Sequence, residues 1–152
     1  MDVTDRPRRL ALKCDPNERG TRRERLAIAE HCAGRLAPDT VSDMQLVASE
    51  LVTNAFEHGA RGVVTLDVTL DGESATVTVT STGNSSGIRH PSTWSFPETT
   101  TSSGRGLALA RTMSHSIELH TAIASFAPDW VSITAHLGPR HGPPVAAAAP
   151  AA

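Results

Sequence analysis

Near Gly59 and Gly62 the hydrophobic spacing of this chain changes from helical to alternating, and that change constrains the fold more than any other feature. Before it, Met44, Val47, Ala48, Leu51, Val52 and Ala55 recur at three- and four-residue steps. Such a recurrence buries one stripe of an α-helix. The helix is expected over about residues 41 to 58 or 59, with Gly59 and Gly62 ending it. After the change, Val64, Leu66, Val68 and Leu70 alternate with Thr65, Asp67 and Thr69. Ala75, Val77 and Val79 then alternate with Thr76, Thr78 and Thr80. A period of two with one apolar face predicts two half-buried strands, and Asp71-Gly72 between them is a hairpin turn signal.

The flanking segments extend the pattern. Leu10 and Leu12 alternate within RRLALKC, which predicts a first strand over Arg8–Cys14. Asp15-Pro16-Asn17 reads as a turn and a helix N-cap. The helix it opens is expected to reach about residue 36 on the stripe Leu26, Ile28, Ala29, Cys32, Ala33 and Leu36, and Ala37-Pro38-Asp39-Thr40 breaks it. Residues 81–103 show no period and are rich in Gly, Pro, Ser and Thr. A loop of that length inside one domain is usually a lid, a binding loop or a disordered segment. Leu107, Ala110, Arg111 and Met113 suggest a short helix, and residues 116–121 and 131–137 read as final strands. The resulting fold class is an α/β (α+β) two-layer sandwich, with helices on one face of a mixed, mostly antiparallel sheet. The expected boundaries are a flexible N-terminus over 1–7, one domain over 8–137, and a disordered Pro/Ala-rich tail over 138–152.

Composition narrows the partners. A chain of 152 residues can bury a core of its own. Aromatic content is 3% with no Tyr, so the core rests on Leu, Val, Ile and Ala, and stacking platforms for single-stranded nucleic acid are scarce. The net charge of −2 supplies no global basic footprint, and no direct nucleic-acid partner is expected. Arginines do gather locally, at 6, 8 and 9 and at 19, 22, 23 and 25. They form either a solvated face or a contact surface for an acidic protein partner. Cys14 and Cys32 form no CxxC pair and read as reduced core thiols of a cytosolic protein. No apolar run approaches the roughly 20 residues that cross a bilayer. The segment MDVTDRPRRL lacks the apolar region of a signal peptide. No membrane partner is expected, and the expected location is cytoplasmic.

The chemistry lies on the second helix. Glu50, Asn54 and His58 are spaced four apart, and each such step turns only about 40° around a helix axis. They therefore share one polar strip beside the apolar stripe. An amide oxygen is a hard ligand for Mg²⁺, which in turn binds phosphate oxygens. A carboxylate one turn away can take a proton from an attacking hydroxyl or water. About 50 residues on, Gly104-Arg105-Gly106-Leu107 follows the long loop and opens a helix. Glycines admit backbone amides close to phosphate oxygens, and a helix N-terminus favours anions. Histidine spacing gives no zinc motif such as HExxH.

Helix strip, hairpin, long loop and glycine turn in this order resemble the GHKL (Bergerat-fold) ATPases. The chain is most similar to the small bacterial anti-sigma-factor serine kinases of the RsbW/SpoIIAB-like group, over residues 8–137. Glu50-Leu51-Val52-Thr53-Asn54-Ala55-x-x-His58 matches the family's N-box, and Gly104-Arg105-Gly106-Leu107-x-Leu109 matches its glycine-rich G2 box. The resemblance implies that Glu50 is the catalytic base and that Asn54 binds Mg²⁺ through the ATP phosphates. It also implies that the G2 residues hold those phosphates and that the preceding loop closes over ATP. His58 either reaches the phosphates or caps its helix; Arg105 either contacts phosphate or is exposed. Partners implied are a sigma factor, sequestered from RNA polymerase, and a STAS-type anti-anti-sigma protein phosphorylated on Ser or Thr. Family members are often dimers, so a homodimer enters on the same footing.

One motif departs from the pattern. The second hairpin strand ends in Ser81-Thr82-Gly83-Asn84-Ser85, where the family has D-x-G-x-G. Gly83 is kept. Ser81 replaces the aspartate that accepts from the adenine amino group, and Ser85 replaces the second glycine. Loss of a charged acceptor from a buried hydrogen bond costs about 1.5–3 kcal/mol, or roughly 10- to 150-fold in affinity. Two functions therefore compete: an ATP-dependent serine kinase that is also an anti-sigma factor, and a Bergerat-fold module that sequesters a partner without ATP turnover.

Overall fold

The chain order is β1 (Arg8–Cys14), α1 (Glu18–Cys32), α2 (Pro38–Glu57), β2 (Ala60–Asp71), β3 (Ser74–Gly83), α3 (Arg105–Met113), β4 (Ser116–Ala122) and β5 (Trp130–Leu137). The computed structural model describes residues 8–57, 60–83, 105–122 and 130–139. The expected loose N-terminus, nearly all of the expected lid and most of the expected tail lie outside these residues. The strands form one sheet in the order β1-β2-β3-β5-β4, and every neighbouring pair is antiparallel. The expectation of a mixed sheet is corrected accordingly: the one crossover, from β3 through α3 to β4, passes over β5, so the parallel strands β3 and β4 never pair directly. The helices pack on one face of the sheet.

The period-two reading gives the pleat directly. Val64, Leu66, Val68 and Leu70 on β2 and Ala75, Val77 and Val79 on β3 are buried together with the α2 stripe. Threonines occupy the opposite face. Thr78 and Thr134 share a hydrogen bond of 3.0 Å across β3 and β5, and the Thr80 hydroxyl donates to Ser132 at 3.3 Å. Burial of the apolar row stabilises the sandwich by about 25 cal/mol for each Å² removed from water. Among the described residues, no helix is long and apolar enough to cross a membrane.

Helix α1 begins as its sequence predicts and then departs in phase. Asn17 is the N-cap, and its side-chain oxygen accepts from the Gly20 amide at 2.8 Å. The buried positions are Gly20, Glu24, Ile28 and Cys32, and the helix ends at Cys32 rather than near residue 36. Leu26, expected in the stripe, is 57% exposed, and Ala33 is exposed. The four-residue series centred on Ile28 wins because Leu26 lies about 160° around the helix from Ile28. Helix α2 starts earlier than expected. Pro38 occupies its first turn, where a missing N–H costs nothing, and Asp39 adds an acid at the same end. A proline read as a breaker is here a starter.

Glu24 is 3% exposed, and its Oε1 oxygen has no hydrogen-bond partner among the described residues. Desolvation pushes its carboxyl up, against the Cys14 thiol, Arg23 and the Asp15 amide, which pull it down. Burial and then Glu24 push the Cys14 thiol up to about 12, and burial pushes Cys32 up to about 11. Both thiols are free and stay protonated. A carboxyl raised in the folded state favours folding most below its unfolded pKa, and that contribution is lost as pH rises through the folded value. Glu24→Gln is therefore expected to stabilise the fold by about 1–2 kcal/mol near pH 8 and to have little effect near pH 4. Urea unfolding at the two pH values checks this; equal shifts at both would remove ionisation as the cause.

Candidate functional site

Two tethers bring the site residues to one end of the sandwich. The Thr40 hydroxyl donates to the Gly138 carbonyl at 3.4 Å, which ties the start of α2 to the far end of β5. At the other end Ala60, just beyond α2, pairs with Gly83. The C-terminal half of α2 and the last residues of β3 therefore share an end. Glu50 and Asn54 stand one turn apart on that half of α2, both half-buried beside the buried Val47 and Leu51.

Ser81 lies two residues beyond Val79 on the same alternation, half-buried, with Val64 and Val131 as its cross-strand neighbours. That row faces the helices. Gly83 follows with φ of 153°, a conformation that side-chain-bearing residues rarely adopt. Retention of glycine here thus has a backbone cause.

Helix α3 packs against α2, and Gly106 lies against the Glu50 side chain. A Cβ built on Gly106 overlaps Glu50 Oε2 and stands 3.1 Å from the Glu50 Cδ and 3.5 Å from its Cβ. Only a glycine leaves room for the carboxylate to lie against the first turn of α3. Amides in that turn have no acceptor within the helix and favour anions. Leu107 is partly buried against the core, and Ala108 and Ala110 are buried, so the apolar side of α3 holds its first turn in place. The two sequence motifs, far apart in the chain, thus meet as a carboxylate against a helix N-terminus. His58, Gly104 and Ser85 lie outside the described residues, and nothing is described of the Arg105 side chain.

This arrangement fits a nucleotide with its metal. The space that a Cβ on Gly106 would fill is taken by the Glu50 carboxylate, which lies against the first turn of α3, and Asn54 offers a hard amide oxygen one turn away. Among the described residues, no group of three His, Cys, Asp or Glu side chains is placed to hold a metal ion. A metal here would depend on phosphate oxygens as well as on Asn54.

Two features escaped the sequence reading. One is buried Glu24, whose only signal was its four-residue spacing from Gly20, Ile28 and Cys32. The other is a cavity of about 720 Å³ on the opposite flank of α2, lined by Asp15, Asn17, Arg22, Arg25, Val52 and Phe56 among others. It contains neither Glu50 nor Asn54, and no motif marks it. The arginine cluster itself is divided. Arg9 pairs with Asp67, Arg23 reaches Asp15 at 3.2 Å and the Lys13 carbonyl at 2.7 Å, and Arg25 donates to Ser49 at 3.2 Å.

The family model of the histidine kinase-like ATPase domain matches residues 15–125, which include both motifs. The chain belongs to the histidine kinase-like ATPase family. The match leaves out β5, yet β5 lies between β3 and β4 in the sheet, so the folded ATPase-like domain extends past the matched segment. No curated protein sequence matches the chain. Among solved structures, it is similar to the RsbU and RsbW domains of Rv1364c from Mycobacterium tuberculosis, with a TM-score of 0.52 and 17% identity over 88% of this chain. The chain spans 33% of the length of that protein's chain, and the likeness is one of fold. The histidine-kinase-like ATPase fold expected from the motifs is therefore the fold observed.

Proposed function

We propose that this chain is an ATP-binding regulator of the anti-sigma-factor type, which sequesters a sigma factor and phosphorylates Ser or Thr of a STAS-type anti-anti-sigma partner. The observation that carries the reading is the close approach of Gly106 to Glu50. It sets a carboxylate beside amides suited to phosphate, as transfer to a protein hydroxyl requires. The family membership and the RsbW-domain fold neighbour support the class of activity. Such partners are cytoplasmic, and the reading locates the chain with them.

Within this reading Mg²⁺, when bound with ATP, offsets the charge of the phosphate oxygens. Asn54 would hold the metal, its amide oxygen being a hard donor suited to Mg²⁺. The first turn of α3, from Arg105, directs backbone amides at the phosphates, with Gly104 and Gly106 allowing the approach. His58, four residues after Asn54 in the sequence, is assigned to the phosphates as well. Ser81 and Gly83 receive the base. Glu50 accepts the proton of the partner's hydroxyl as that oxygen attacks the γ-phosphorus, and the bond to the β-phosphate oxygen breaks to release ADP.

Calorimetric titration with ATP, with and without Mg²⁺, tests the assignment. Wild type is expected to bind at micromolar concentration with Mg²⁺ and roughly tenfold or more weakly without it, because metal and phosphates bind together. Asn54→Ala is expected to lose most of that Mg²⁺ dependence. Equal affinity with and without Mg²⁺ in wild type would remove Asn54 from the metal role. A second reading, sequestration without turnover, is favoured by Ser81 in place of the aspartate. No binding up to millimolar ATP would select it.

A further inference from the structure

This inference rests on the nucleotide reading and concerns which base the site takes. Ser81 ends the helix-facing row of β3, and its cross-strand neighbours Val64 and Val131 are both buried. Thr80 and Thr82 alternate to the other face, where the Thr80 hydroxyl is engaged with Ser132. The Ser81 hydroxyl makes no hydrogen bond to another described residue. At this end of the row, the Ser81 hydroxyl, set between two valines, is the polar side-chain group that β3 presents, with Thr121 beyond Val131 on β4.

An aspartate at this position would only accept hydrogen bonds, and it would carry charge. It would demand a donor on the base, such as the 6-amino group of adenine, and would repel a 6-oxo group. A serine hydroxyl both donates and accepts, and it rotates to suit. It can accept from a 6-amino group or donate to a 6-oxo group at similar cost, with no charge to oppose either. Each flanking valine lacks a polar atom that would restore the bias. We propose that Ser81 makes the site indifferent to the 6-substituent of the purine, so that this chain binds 6-oxopurine triphosphates about as well as ATP.

The test is calorimetric titration of the full chain with the Mg²⁺ salts of ATP, ITP and GTP. Wild type, Ser81→Asp and Ser81→Ala are compared, each first shown to melt cooperatively. Inosine differs from adenosine at position 6 and in the adjoining ring proton, so it isolates the contact in question. Wild type is expected to bind ATP and ITP within about threefold of each other, since the hydroxyl satisfies both. Ser81→Asp is expected to favour ATP by about 100-fold, as sites built around one polarity do. Ser81→Ala is expected to weaken both ligands alike and leave their ratio near one.

A wild-type preference for ATP above roughly 30-fold, a discrimination typical of a dedicated polar contact, overturns the inference and leaves the nucleotide site standing. So does binding by Ser81→Asp alone. A ratio unchanged by a folded Ser81→Asp removes Ser81 from the base contact. No binding of any nucleotide by any folded form overturns the nucleotide reading itself. Should Ser81→Asp fail to fold, the wild-type and Ser81→Ala ratios still decide.

Discussion

Replacement of Glu50 by alanine is expected to lower phosphotransfer to a protein hydroxyl by roughly 10²–10⁴-fold, the usual contribution of a positioned general base. Nucleotide affinity is expected to stay within about threefold of wild type, because Glu50 accepts a proton rather than a phosphate contact. The argument is geometric. The carboxylate lies against Gly106 in the first turn of α3, where the γ-phosphoryl group of a bound nucleotide would be received. It is half-buried at the edge of the α2 stripe, so its truncation leaves Val47, Leu51 and the core contacts intact. Single-turnover transfer of labelled phosphate, paired with calorimetry, separates the two effects. Unchanged transfer would take Glu50 out of the base role. Lost binding with lost transfer would make it a ligand for the nucleotide instead.

Much of the fold could be read from period alone, because burial of one face writes its own spacing into the sequence. The β2–β3 hairpin and the α2 stripe were visible for that reason: each has a single wet face. The start of α1 was visible too, but its phase was not, since a buried carboxylate replaces one of its apolar positions. Glu24 breaks the hydrophobic pattern that would have set the phase, and Leu26 and Ala33 supply a false one. Pro38 misled for a related reason. Proline ends a helix in its interior but suits its first turn, and the sequence does not say which applies. At the site, Glu50 and Gly106 could each be named from a motif, but not their contact. Contact depends on α3 packing against α2 across about 50 intervening residues. The cavity beside Arg22 and Phe56 was invisible because it arises where α1 and α2 converge, and no local pattern encodes convergence.

Gly106→Ala is expected to cost phosphotransfer about 100-fold or more, the scale on which an ångström of misplacement acts. Stability, by contrast, should change little. An added Cβ overlaps Glu50 Oε2, the far end of a flexible side chain, and comes within 3.1 Å of Cδ. The carboxylate can swing away, so the fold survives. Alanine also favours helix over glycine by up to about 1 kcal/mol, which offsets the crowding. The expected signature is an unchanged or slightly raised Tm with a collapse in activity. A merely structural glycine would give the reverse, with activity falling only as the protein unfolds. The mechanism makes a second demand. If the methyl group acts by displacing Glu50, then Gly106→Ala should add nothing to the loss already caused by Glu50→Ala, since residues acting as a unit are non-additive. Independent, multiplying losses would show that Gly106 serves the phosphates through its backbone alone.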